Sequence, residues 1–199
     1  IHVDRKKPYQ NGLWIGTNGG GLNFYYDGKF HRISSKDGLY TDLAFGIIED
    51  QSGYLWFSCN KGIYKVNKTE LLEFIEKRRS RIRSITYAKE DGIKNTESSG
   101  PAQPVGFRSS TGKIWFAGSK NVIVIDPSQS KLNRYLPNVV IESVLANNKS
   151  YVFPDTVSAE PGKGDLNIKY TALSFLKPEK VKFKYKLEGY DEDWQSVGT

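Results

Sequence analysis

Gly53-Tyr54-Leu55-Trp56-Phe57-Ser58 runs from a turn glycine through an aliphatic residue and a tryptophan to an apolar and a small residue, and the chain writes this pattern three times. The other copies are Gly12-Leu13-Trp14-Ile15-Gly16 and Gly112-Lys113-Ile114-Trp115-Phe116-Ala117. Each is followed by a second turn and another strand-like run: Gly21-Leu22-Asn23-Phe24, Gly62-Ile63-Tyr64-Lys65-Val66 and Asn121-Val122-Ile123-Val124-Ile125. Asn121 stands where the other copies have glycine, and asparagine is the next best residue at positive φ. Trp14 and Trp56 lie 42 positions apart, a period that points to one four-stranded propeller blade per copy. The 59 positions from Trp56 to Trp115 require an insertion in the second copy.

Working outward, Asn18-Gly19-Gly20-Gly21 and Asp27-Gly28 are hairpin turns, so the first blade is expected over residues 11–35. Ile1-His2-Val3 reads as the tail of a strand with no partner in sight. Asp37-Gly38-Leu39 leads into an innermost strand of the second blade at Ala44-Phe45-Gly46-Ile47-Ile48-Glu49-Asp50, and Asp50-Gln51-Ser52-Gly53 turns the chain into the Trp56 strand. Residues 69–79 place Leu71, Leu72, Phe74 and Ile75 at helical spacing. Thr69 suits the cap, Glu70 the positive end of the dipole, and Lys77, Arg78 and Arg79 the negative end. This short helix accounts for most of the insertion, and the outer strand is expected to resume over residues 82–88, followed by a loop over 90–104.

After Asp126-Pro127 the tryptophan pattern stops, and a second domain is expected from Pro137 onward. Strands are expected over 139–145, 166–175 and 181–188, the last alternating apolar and lysine-rich positions without error. A seven-stranded immunoglobulin-like sandwich needs about 100 residues, so residues 137–199 hold only its first part. Three blades cannot close a ring of the typical four to eight, and the N-terminal part is expected to be the last portion of a longer propeller. The fold expectation is therefore all-β: a partial β-propeller of about three blades, one with a helical insertion, over 1–136, then the first strands of an immunoglobulin-like β-sandwich over 137–199.

The motifs built on Trp56 and Trp115, with Asp37-Gly38-Leu39, resemble the two-component-regulator propeller repeat. Tyr170-Thr171-Ala172-Leu173-Ser174-Phe175, with Tyr185-Lys186-Leu187-Glu188-Gly189-Tyr190-Asp191 and Trp194, resembles the start of the three-tyrosine, immunoglobulin-like domain that follows such propellers. The resemblance implies the periplasmic sensor region of a membrane-bound hybrid histidine kinase that responds to oligosaccharides and pairs as a homodimer. It further implies that contact with the membrane is made only through a helix outside these residues. The alternatives are a propeller enzyme acting on polysaccharide and a protein–protein interaction scaffold.

Composition is consistent with that class. The chain is 38% hydrophobic and 13% aromatic, ample for a packed core, and no run approaches the roughly 18–20 apolar residues that cross a bilayer. A net charge of +7 favours acidic partners. The lone Cys59 excludes an internal disulfide and, following Leu55-Trp56-Phe57-Ser58, reads as a buried structural thiol. His2 and His31 sit in strand-like segments with no ligand-spaced partner, so no metal site is expected. Asp191, Glu192 and Asp193 lack a calcium-loop pattern and read as a turn; the Gly19 region lacks the lysine and helix of a phosphate cradle. Lys77-Arg78-Arg79-Ser80-Arg81-Ile82-Arg83 is the densest positive patch, yet matches no nucleic-acid module; it reads first as a solvated helix face, with contact to an acidic carbohydrate as the alternative. Trp14, Trp56 and Trp115 read as packing between blades; Tyr190 and Trp194 are better candidates for contact than these, although a core role in the sandwich leads for both. Neither catalytic nor cofactor-binding residues are expected, and the ligand-binding residues are unknown from sequence alone.

Overall fold

Each tryptophan motif becomes the second strand of an antiparallel meander. In the computed structural model, which describes residues 1–98, 100, 104–129, 137–158, 165–174, 181 and 183–198, the chain is all-β apart from one helix and short turns of 3-10 helix. It divides into two units, Ile1–Ser130 and Lys131–Thr199.

In the first unit β1 (His2–Val3), β2 (Leu13–Gly16), β3 (Leu22–Tyr26) and β4 (Lys29–Ile33) pair in sequence order. The second sheet repeats that order with β5 (Ile47–Glu49), β6 (Tyr54–Cys59), β7 (Gly62–Asn67) and β8 (Ser84–Tyr87). The third has three described strands, β9 (Gly106–Arg108), β10 (Ile114–Ala117) and β11 (Val122–Ile125). Contrary to expectation, the N-terminal strand has its partner within the chain: His2 faces Trp14 and Val3 faces Leu13. The loop between them folds back because the Asp4 and Asn11 amides bond the Gly12 and Asp4 carbonyls at 2.7 and 2.8 Å.

Register and pleat sort each sheet into two faces. Trp14, Leu22, Phe24 and Ile33 from one face of the first sheet bury against Leu55, Phe57, Tyr64 and Val66 of the second, with Cys59, Leu71 and Ile82. The opposite face of the second sheet carries Trp56 and Ile63, which pack on Ile114, Phe116 and Ile123 of the third. The tryptophan face of one sheet thus meets the non-tryptophan face of the next, twice. Trp14 and Trp56 are fully buried, and burying such a ring supplies about 1.5–3 kcal/mol or more. On the third sheet Phe107 and Val124 flank Trp115 in register, and Phe107, Val122 and Val124 are exposed.

Gly21 and Gly62 hold φ of +81° and +126°, and a Cβ there would lie 2.3 Å from the Ile33 carbonyl oxygen and 2.4 Å from that of Tyr87, so both positions require glycine. Asn121 departs from the expected pattern. It keeps out of the positive-φ region, and its carbonyl closes the turn by accepting the Gly118 amide at 2.8 Å.

The insertion is helix α1 (Lys68–Ile75), which begins one residue before the expected start and ends well before Arg79. Asn67, not Thr69, is the cap: it is extended, and its side chain accepts the Thr69 amide at 2.8 Å. Lys77 adopts φ +60° and leaves the helix. The outer strand β8 then begins at Ser84 rather than residue 82, with Ile82 buried.

In the second unit β12 (Val139–Ala146) lies between β13 (Lys149–Val152) and β14 (Leu166–Ala172), and β15 (Phe183–Tyr185) pairs with β16 (Gln195–Gly198). β13 is not anticipated above. It follows from Asn147-Asn148, both at positive φ (46° and 67°), a two-residue hairpin turn. The strand expected over 181–188 shortens because Leu187 accepts the amides of Tyr190 and Asp191 at 3.1 and 2.9 Å and bends the chain away. Residues 131–136, 175 and 182, which fall in the expected strands or at the domain boundary, lie outside the described residues.

Candidate functional site

Three charged side chains buried between the first two sheets form the most polar interior group. Asp4 follows β1, Glu49 ends β5, and Lys68 opens α1; their side chains are 1%, 15% and 8% exposed. The Lys68 ammonium lies 3.0 Å from Asp4 Oδ1 and 2.8 Å from Glu49 Oε1. Asp4 also accepts the Lys6 amide on Oδ1 at 3.0 Å and the Trp14 indole N–H on Oδ2 at 3.2 Å. Glu49 Oε2 lies 3.1 Å from His2 Nε2, and Lys6 Nζ approaches Oε1 at 3.5 Å.

The electrostatics follow from these contacts. Burial pushes the Asp4 carboxyl up, but the Lys6 amide, the Trp14 indole and the Lys68 ammonium together outweigh it and hold the group below the ordinary carboxylate range. Glu49 is also pushed up by burial, and Lys68 and His2 reverse the sign. Both carboxylates are therefore charged at neutral pH.

Beside it opens a cleft of about 330 Å³ lined by the Asp4, Lys6, Lys7 and Tyr9 loop of the first sheet, the Gln51, Ser52 and Gly53 turn of the second, and the first turn of α1. Tyr9 donates its hydroxyl to Glu76 at the far end of α1, which pushes its pKa up to about 12 and ties the loop to the helix. Lysine ammoniums, hydroxyls and an amide dominate the lining, with Asp4 as its carboxylate.

His2, read from sequence as a residue with no partner, meets Glu49 from 47 positions away. His31 sits on β4 opposite Phe24, outside the cluster. Cys59 is fully buried, its thiol donating to the Gly62 carbonyl at 3.3 Å, and burial pushes its pKa up, as a structural thiol requires. The Asn18 to Gly21 turn is stapled to the Asp42 carbonyl by the Gly19 and Gly21 amides at 3.1 and 2.9 Å. Arg78 and Arg79 pair with Glu70, Glu73 and Glu76, so much of the basic patch is neutralised within its own helix region. Asp191 closes a turn by accepting the Leu187 amide at 2.8 Å. Tyr190 and Trp194 are 82% and 59% exposed, and the Lys184 ammonium sits 4.7 Å from the Trp194 ring centre.

Asp4, Glu49, Lys68, Lys6 and Lys7 were not singled out by sequence. One signal was available: Asp4 and Asp50 each follow an inner strand directly. The register makes them equivalent, and each accepts a tryptophan indole. The third copy places Ser109 there, and the Trp115 indole nitrogen is buried without a hydrogen-bond partner.

No protein-family model matches the chain. Histidine kinase P4 of Formosa agariphila is 22% identical over 193 residues, a match covering 89% of this chain and 13% of that protein. Among solved structures, the extracellular domain of a hybrid two-component system from B. thetaiotaomicron matches 94% of this chain with a TM-score of 0.59 at 17% identity, which shows a shared fold. This chain covers 25% of that one. The extracellular domain of a one-component system from the same organism gives a TM-score of 0.43 at 16% identity, over 96% of this chain and 38% of that one.

Proposed function

We propose that these residues belong to the extracytoplasmic, ligand-sensing region of a membrane-bound hybrid histidine kinase that responds to oligosaccharides. The observation that carries this reading is the fold shared, over nearly the whole chain, with the extracellular domain of a hybrid two-component system, and the sequence similarity to a histidine kinase supports it. The segment itself acts by binding, and the kinase belongs to the rest of the protein. Among the described residues no helix is long and apolar enough to cross a membrane. A periplasmic location, with the membrane span elsewhere in the protein, fits the neighbour's extracellular setting.

The repeated packing mode supports the propeller. Each unit offers a tryptophan face to the next, and Val3 and Phe30 on the free face of the first sheet and Phe107, Val122 and Val124 on the third remain exposed. Further units of the same kind would cover both faces. We read residues 1–136 as the C-terminal blades of a β-propeller and, on the resemblance of their tyrosine motifs, residues 137–199 as the first part of a three-tyrosine immunoglobulin-like domain. Signalling requires that a ligand bind one arrangement of a paired receptor better than another, because only differential affinity shifts the equilibrium.

Thermal denaturation of the complete sensor region in a panel of oligosaccharides tests the proposal. A ligand at about a hundredfold its Kd stabilises by about 2.7 kcal/mol, enough for a shift of several degrees. A flat melting temperature across the panel, together with release of reducing ends on incubation, would replace sensing with catalysis.

A further inference from the structure

The 330 Å³ cleft lies at the lower end of the ~300–1,000 Å³ range of small-ligand sites, room for one or two sugar units. Its lining has a pronounced sign. Lys6, Lys7 and Lys68 contribute three ammoniums against the one lining carboxylate of Asp4, while Glu49, outside the lining, pairs with Lys68 and Lys6. Those carboxylates are already engaged. Asp4 accepts from the Lys6 amide, the Trp14 indole and Lys68, and Glu49 faces Lys68, Lys6 and His2. Lys68 donates to Asp4 Oδ1 and pairs with Glu49 Oε1 at 2.8 Å, so the donors open to the cleft are chiefly the Lys6 and Lys7 ammoniums, each carrying three N–H groups. Lys6 and Lys7 are exposed on the rim, so their charge meets whatever enters.

The remaining lining suits a polyol. Ser52 and Thr69 offer hydroxyls and Gln51 an amide, all three exposed, while Leu72 and Tyr9 supply apolar surface for the C–H face of a ring. Lys68 is also the first residue of α1, where the positive end of the helix dipole adds to the ammonium field. A bare neutral sugar would leave the surplus donors without strong acceptors. A carboxylate or sulfate oxygen satisfies them with charge-assisted bonds.

We infer that this cleft is a subsite for a saccharide unit bearing a carboxylate or sulfate, its anion seated against Lys68, Lys6 and Lys7 and its hydroxyls against Ser52, Gln51 and Thr69. The inference rests on the oligosaccharide-sensing reading above and names the class of sugar.

The test is calorimetric titration of the protein with digalacturonate, a sulfated disaccharide and neutral cellobiose at low and moderate salt. Wild type is compared with Lys7→Glu, Lys6→Glu and, as an equal-charge control on the far hairpin, Lys29→Glu. At least one acidic disaccharide binds about tenfold or more tighter than cellobiose and weakens with salt; Lys7→Glu and Lys6→Glu each lower its affinity about tenfold, and Lys29→Glu leaves it within about twofold. Lys7→Glu keeps the test sound should Lys6→Glu disturb Glu49. Acidic binding untouched by Lys6→Glu and Lys7→Glu, or weakened equally by Lys29→Glu, overturns the subsite. Binding of cellobiose alone overturns the subsite while leaving the sensor reading intact. Binding of no saccharide by folded protein overturns the subsite and counts against the sensor reading as well.

Discussion

Trp56 donates its indole N–H to Asp50 Oδ2 at 2.7 Å, and Asp50 Oδ1 accepts the amides of Ser52 and Tyr54 at 2.8 and 2.9 Å. One carboxylate thereby braces the turn into the strand and the buried ring at its centre. Asp50→Ala orphans the indole and both amides, and a loss of about 2–3 kcal/mol is expected from urea denaturation. A change below about 0.5 kcal/mol would show that the brace does not contribute.

The third copy has Ser109 at this position and an unpartnered Trp115 indole. Ser109→Asp should restore the brace and raise stability by about 1 kcal/mol, read as a melting temperature higher by a few degrees. Correspondingly, Trp115→Phe should cost less than Trp56→Phe, since only the latter forfeits a hydrogen bond.

Asp4 and Glu49 are held below their ordinary values of 3.8 and 4.5. Their folded forms therefore bind protons less readily than the unfolded chain. The stability they confer is complete above the unfolded values and is lost as pH falls through the depressed folded ones. Urea midpoints should hold between about pH 7 and pH 5.5 and then decline toward pH 3, and Glu49→Gln should flatten that decline. An identical acid slope in wild type and Glu49→Gln would count against the pairing.

Lys68→Met removes the cation shared by two buried carboxylates. Breaking a buried pair from one side costs about 3–5 kcal/mol, and Lys68→Arg should recover part of it. Guanidinium denaturation distinguishes the two variants directly.

Much of the architecture was legible because it rests on local signals. The tryptophan period, the Gly21 and Gly62 turns and the apolar spacing of Leu71 and Leu72 each act within a few residues, and the three sheets and the helix follow from them. Departures arose where competition was close. Asn67 caps in place of Thr69, two positions away, and Asn121 closes its turn without a left-handed backbone. The pairing of β1 depended on a loop that closes on itself through Asp4 and Gly12. The charged cluster was illegible for another reason. Lys68 meets Asp4 from 64 positions away and His2 meets Glu49 from 47, so only the stacking of two sheets creates it.

That cluster has a mechanical consequence. Lys68 is rooted in the insertion helix yet grips one carboxylate from each of two neighbouring sheets, so it works as a rivet through both plates. Sliding between them would have to draw an ammonium away from two anions at once. The helix that interrupts the repeat thus adds an ionic tie to the apolar packing that already joins its first two members.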